Sequence, residues 1–256
     1  MNKYLMFFVL LSYHCFSQQH QEEIIKTYLN DCAMKYNYNY QMKQWQDCLD
    51  LGLQRDSTIA YLWQQKAMPY FKAQKYEVGM SYLDKAVIYN PKRWLPYRGF
   101  IKCIFSKSYK EAIDDFEKSI FLLGNQYEMD HTYRFYIALS YLQLNEFEKA
   151  ETLFEQDISE QEQKFKTAHY LDLFYFGICK FELEKFDEAI VLFDKALEQY
   201  PQFSDVWYYK AVCFLRLGQS EKAVEPYEKA KDYAKQGYTI NEDNVVYEKY
   251  PYQVRW

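Results

Sequence analysis

The residues of this chain with the most chemistry in them are four histidines and six cysteines, and their spacing does not assemble a reaction. His14, His20, His131 and His169 are scattered, and none belongs to an HExxH pair. No GxSxG elbow, P-loop or other glycine-rich phosphate cradle is present. A zinc site needs Cys and His at short, paired intervals, and the chain has no CxxC and no Cys–His pairing of that kind. The 36 acidic side chains are interleaved with 31 basic ones, the pattern of solvated helix faces with local ion pairs, as around Lys149, Lys195, Lys222 and Lys229. A net charge of −5 without a basic stripe gives no phosphate-binding surface, so a nucleic-acid partner is not expected. No catalytic, metal or cofactor residue is expected, and the chain reads as a non-enzymatic binding protein. The competing reading is an enzyme assembled from distant carboxylates.

The amino terminus has the layout of a signal peptide. Lys3 precedes an apolar run (Leu5, Met6, Phe7, Phe8, Val9, Leu10, Leu11) shorter than a bilayer span. Cys15 and Ser17 supply small residues ahead of Gln18, which places cleavage after Ser17 and the mature chain outside the cytoplasm, periplasmic or secreted. The alternative is a lipid anchor on Cys15, for which Tyr13 and His14 are unsuitable neighbours. No second apolar stretch is long enough to span a membrane. Cleavage leaves Cys32, Cys48, Cys103, Cys179 and Cys213. Cys32 and Cys48 fall on what read as the two facing helices of a first pair, where an oxidising compartment permits a bridge. Buried free thiols are the alternative.

The elements that would position any site are helices. Hydrophobic residues make up 49% of the chain, with only seven Gly and six Pro to punctuate it, which argues against a turn-rich sandwich or barrel. Phe186, Ala189, Ile190, Phe193, Leu197 and Tyr200 follow the three- and four-residue steps of one helix face, and Pro201 closes a helix over about 186–200. Leu173, Phe176, Gly177, Lys180 and Phe181 mark a preceding helix ending near Glu184. The unit is helix, tight turn, helix.

The sequence Phe176, Gly177, Ala189, Phe193, Ala196, Pro201 resembles the tetratricopeptide repeat. Trp207, Ala211, Phe214, Gly218, Ala223, Tyr227 and Ala230 repeat it, with Ala223 placed 34 residues after Ala189. Earlier units are Ala138, Tyr141, Ala150, Phe154; Tyr109, Ala112, Phe116; and Trp63, Ala67, Tyr70, Leu83, Ala86, Pro91. Ala33, Tyr36, Leu49 and Gly52 mark a worn first one. The resemblance covers 26–237 and implies an all-α, right-handed α-solenoid of about six antiparallel helix pairs with a C-terminal extended tail. The expected units are 26–59, 60–93, 94–127, 131–164, 170–203 and 204–237, followed by the tail 238–256. Pro69 and Pro226 should kink their helices or delay their start. Extra residues near 124–130 and 159–169 should form longer loops or extended helices. Trp45, where Ala is expected, makes the first pair a capping one.

The resemblance further implies that first helices line an inner groove in which a protein or peptide partner lies. Here that groove would consist of Tyr61, Gln64, Met68, Phe71, Tyr97, Ile101, Phe135, Leu139, Phe174, Ile178, Phe181, Tyr208, Val212 and Leu215. It is apolar and lacks the Lys and Asn clamps with which some relatives hold a peptide carboxylate. A long exposed apolar groove needs a cover, and the aromatic tail, with Tyr247, Tyr250, Tyr252 and Trp256, is expected to dock on the solenoid. The expected function is a scaffold or adaptor of the cell envelope. The alternatives are a periplasmic chaperone holding unfolded segments in the groove, and a glycan binder using exposed rings.

Overall fold

A computed structural model describes residues 18–256, so the expected signal peptide and Cys15 lie outside the described residues. The chain divides into two compact units, one ending at Trp94 and the other running from Leu95 to Trp256. In the first, α1 (residues 18–30) ends in the widened turn Lys26–Asn30 and is followed by α2 (Met42–Arg55), α3 (Ala60–Lys72) and α4 (Tyr76–Tyr89). Then come α5 (Pro91–Phe100, continued by the widened turn Ile101–Phe105), α6 (Tyr109–Leu123), α7 (Tyr133–Gln143) and α8 (Phe147–Phe165). The remaining helices are α9 (Tyr170–Glu182), α10 (Phe186–Gln199), α11 (Ser204–Arg216) and α12 (Ser220–Lys235). The fold is all-α and tetratricopeptide-like, built of consecutive helix pairs. No helix among the described residues is long and apolar enough to cross a membrane.

The repeat is written in the backbone as well as in the side chains. Between the two helices of successive pairs, Gln74, Lys107, Asn145, Glu184 and Gly218 all take positive φ. The residue after each donates its N–H back to a carbonyl near the end of the first helix: Lys75 to Tyr70, Ser108 to Lys102, Glu146 to Tyr141, Lys185 to Lys180 and Gln219 to Phe214. This is the left-handed helix stop that satisfies orphan carbonyls and reverses the chain in three residues. Only the last of the five is glycine; the others accept left-handed strain for the reversal. Counted from these turns, the small residue early in each second helix is Gly79, Ala112, Ala150, Ala189 or Ala223. Ala86 therefore corresponds to Ala196 and Ala230.

The small residues let the helices of a pair approach. A Cβ on Gly177 would stand 2.5 Å from the Phe193 ring, and one on Gly79 would stand 2.5 Å from the Phe71 ring. Each glycine thus makes room for an aromatic of its partner helix, and the aromatic fills the crossing.

Two departures turn out to be structural devices. Pro69 lies inside α3 without delaying it, and the backbone N–H it lacks would have served the Gln65 carbonyl. Trp45 of α2 donates its indole N–H to that carbonyl at 3.2 Å, and the Gln46 amide donates to the Lys66 carbonyl at 3.1 Å. Trp45 sits where Ala was expected because it satisfies a proline-orphaned group. Among the described residues the first pair begins at 18, earlier than residue 26, and a Cys32–Cys48 disulfide closes it. The insertion after α6 forms a small hairpin, β1 (Tyr127–Glu128) against β2 (His131–Thr132), whereas the one after residue 159 extends α8 to Phe165.

Candidate functional site on the first-helix face

The residues assigned to one continuous groove have two different fates. In the first unit the face is open at Tyr61. Tyr61 is 38% exposed and stacks nearly parallel on Trp94 with ring centres 6.2 Å apart, and Met68 is half-buried. Around Tyr61 lies a cleft of about 610 Å³ lined by Gln21, Ile25, Tyr61, Tyr89, Arg93 and Trp94. Gln64 is buried and accepts from the Gln65 amide, and Phe71 is buried against Gly79, so neither faces the cleft's solvent.

In the second unit an open groove is not what the chain presents. Tyr97, Ile101, Phe135, Leu139, Phe174 and Ile178 are buried, Phe181, Tyr208 and Val212 are half-buried, and only Leu215, 54% exposed, faces solvent. Every residue of α9 from Leu171 to Cys179 is buried, a pattern that requires cover on all sides of the helix. Neighbouring helices supply part of it. The rest comes from residues 238–256.

This segment crosses the first helices and returns. The Tyr238 carbonyl accepts from Ser204 N–H, and the carbonyls of Thr239 and Asn241 accept from the Tyr200 and Tyr170 hydroxyls. Glu242 reaches His131, and the Lys249 carbonyl accepts from Lys107 Nζ at 2.7 Å. On the way back the Pro251 carbonyl accepts from the buried Tyr175 hydroxyl at 3.0 Å, and Tyr252 packs edge-on to Tyr209. Tyr250 is buried, Tyr247 half-buried, and Trp256, 53% exposed, rests on Tyr208 and Tyr227. One carboxylate clasps both ends: Asp205 accepts from the backbone N–H of Ile240 at 3.1 Å, from that of Val254 at 2.7 Å and from the Thr239 hydroxyl at 2.7 Å. Burial raises the Asp205 pKa, opposed by those donors.

The second clasp is a buried polar cluster that sequence reasoning missed. His131 Nδ1 lies 2.5 Å from Asp172 Oδ1, and its Nε2 lies 3.3 Å from Glu242 Oε1. Gln161 donates to Asp172 Oδ2 at 2.5 Å and to Asp157 Oδ2 at 2.8 Å, while Thr132, the N-cap of α7, donates to Asp157 Oδ1 at 2.5 Å. Burial alone would discharge the imidazole, but the charge and hydrogen bond of Asp172, then Glu242, outweigh it and lift His131 to about 10. Burial likewise opposes the Asp172 carboxylate, yet the imidazolium holds it down at about 2. Asp157 is pushed up to about 6 by burial and by the charge of Asp172. His131 is therefore an imidazolium between carboxylates from α9 and from the tail.

A signal for this cluster existed. Counting back from the turn residues, Asp172 occupies the place held by Leu62, Tyr133 and Val206 in other pairs, and Asp157 the small-residue place of Ala196 and Ala230. A buried acid in an apolar repeat position needs a partner.

The helix pairs define the class. Two models of the tetratricopeptide repeat match the chain, at residues 173–202 and 192–225. No curated protein sequence matches it. Among solved structures, the fold is similar to that of PilW, a type IV pilus biogenesis factor, with a TM-score of 0.64 at 16% identity over 89% of this chain and 99% of PilW. A tetratricopeptide repeat protein from Parabacteroides merdae gives a TM-score of 0.64 at 14% identity, over 89% of this chain and 83% of that one. YrrB, described as a TPR protein with an unusual peptide-binding site, gives 0.52 at 22% identity, over 73% of this chain and 92% of YrrB.

Proposed function

We propose that the chain is a non-enzymatic scaffold of the cell envelope that binds an extended protein segment across its first helices. The observation that carries this reading is the chain's own tail. Residues 239–254 lie across these helices and are held through backbone groups, by Asp205, Lys107 and Tyr175. Side chains that bind backbone accept many sequences, which is how a groove reads a peptide. The structural likeness to YrrB, with its peptide-binding site, is in keeping with this. The envelope location rests on the signal-like residues 1–17 and is supported by the Cys32–Cys48 disulfide, since such bridges persist in oxidising compartments.

Photo-crosslinking in the native host tests the proposal. A crosslinker at Tyr61 on the open face should give one dominant protein adduct in the envelope fraction. A crosslinker at Lys195 on α10 is the control. Adducts no stronger than at Lys195, or a smear of many proteins at both positions, would remove the scaffold reading.

A further inference from the structure

The polar cluster beneath the tail has the donor set of a metal centre. Among the described residues, His131, His169 and Asp172 each bring one donor atom to within 4.8 Å of the others. His131 Nδ1 is 2.5 Å from Asp172 Oδ1, and His169 Nδ1 is 3.8 Å from the same oxygen. The two imidazole rings are 5.3 Å apart and tilted at 73°, and both bring Nδ1 to Asp172 Oδ1. His169 Nδ1 is buried and faces Asp172 Oδ1 at 3.8 Å, beyond hydrogen-bond distance, an arrangement that leaves it room to take a ligand.

We propose that His131, His169 and Asp172 bind a divalent transition-metal ion, Zn²⁺ fitting the set best, and that this ion fastens the C-terminal segment to the helices. Two imidazoles and one carboxylate suit a borderline ion, and three protein ligands leave a fourth position for water. The His169 side chain, 35% exposed, provides the approach from solvent.

The surrounding groups are those that orient ligands at such centres. A metal-bound histidine usually donates its other ring N–H to a carboxylate, and His131 presents Nε2 to Glu242. The ligating carboxylate should itself be fixed, and the Gln161 amide donates to Asp172 Oδ2. The same Gln161 accepts from the backbone N–H of His169 through Oε1 at 3.0 Å. One side chain thus sets two ligands.

With Nδ1 turned to Asp172 and Nε2 to Glu242, both ring nitrogens face carboxylates, so Nδ1 carries a proton in the metal-free chain. On binding, the Nδ1–H bond breaks, the Zn–Nδ1 bond forms from the freed lone pair, and the proton leaves to solvent. Two ligands of one tetrahedral Zn²⁺ stand about 3.3 Å apart, so the His131–Asp172 contact has to open by roughly an ångström. Glu242 keeps its hydrogen bond to Nε2–H throughout. The ion therefore ties β2, α9 and the tail to one centre.

The test is calorimetric titration of chelator-treated full chain with ZnCl₂ at pH 7.5, in two buffers of different ionisation heat. One ion should bind per chain with release of about one proton. Co²⁺ should give the visible absorption of a four-coordinate site. His169→Ala, at a partly exposed position, should fold and lose at least about 100-fold in affinity. Glu242→Gln should lose roughly 10–100-fold, as loss of an orienting carboxylate does. Absence of binding, or binding unchanged in His169→Ala and Glu242→Gln with no proton release, overturns the proposal.

Discussion

The two units meet the same problem, an apolar first-helix face, and resolve it differently. In the first, Tyr61 and Trp94 stack beside an open cleft. Rigidity there comes from the covalent Cys32–Cys48 link and from Trp45 bonded to the Gln65 carbonyl. In the second, residues 238–256 cover the face, and two buried acids, Asp205 directly and Asp172 through His131, hold the cover in place. An apolar face can thus be left as a binding surface or made into a core. In the second unit that outcome depends on a few polar residues that anchor the cover.

The comparison breaks most severely at His131. His131→Ala leaves the buried Asp172 carboxylate without its close counter-charge, held only by the Gln161 amide and the more distant His169, and loss of one partner of such a pair costs about 3–5 kcal/mol. Urea unfolding should show that loss with the first unit's transition unmoved. Next comes reduction of Cys32–Cys48, which are 16 residues apart in sequence. By loop entropy the bridge contributes about 3 kcal/mol. Dithiothreitol should lower the stability of the first unit by that order, read from amide exchange in α2, while the tail's protection stays the same.

A pH series separates the units more gently. Because the folded-state pKa of His131 is raised to about 10, its contribution is complete below its ordinary value near 6.5 and is lost as pH rises through 10. Asp172, lowered to about 2, contributes above its ordinary value near 4 and fails as pH falls through 2. Asp157, raised to about 6, binds its proton more tightly when folded, so it favours the folded state as pH falls from 6 towards 4. The second unit should therefore melt highest between about pH 4 and 6 and decline towards pH 10. His131→Asn should flatten the alkaline limb. The smallest effect belongs to the open face: Tyr61→Ala removes a half-exposed ring stacked on one neighbour, worth about 0.5–1.5 kcal/mol. A larger loss in the melt would mean that the first unit's face is covered too.

Much of this fold was legible because it is local. The 3.6-residue spacing of Phe186, Ala189 and Phe193 and the 34-residue step to Ala223 place the later helices to within a residue or two. The Gly177–Phe193 approach is what that pattern encodes. What stayed hidden depends on contacts across long stretches of chain. His131 meets Glu242 across 111 residues, and nothing near either residue announces the other. The burial of Phe135, Phe174 and Ile178 could not be told from groove lining, because an apolar side chain beneath a cover and one awaiting a ligand look alike in sequence. The small hairpin carrying His131 pairs only two residues per strand, too few for an alternating pattern.

The central claim is that the tail makes core out of one face and leaves the other open. Hydrogen exchange on the full chain and on a chain lacking residues 238–256 tests it directly. Removal of the tail should lower amide protection in α7 and α9 by at least about tenfold, equivalent to about 1.4 kcal/mol, and leave α3 unchanged. Equal protection of α7 and α9 in both chains would contradict the account.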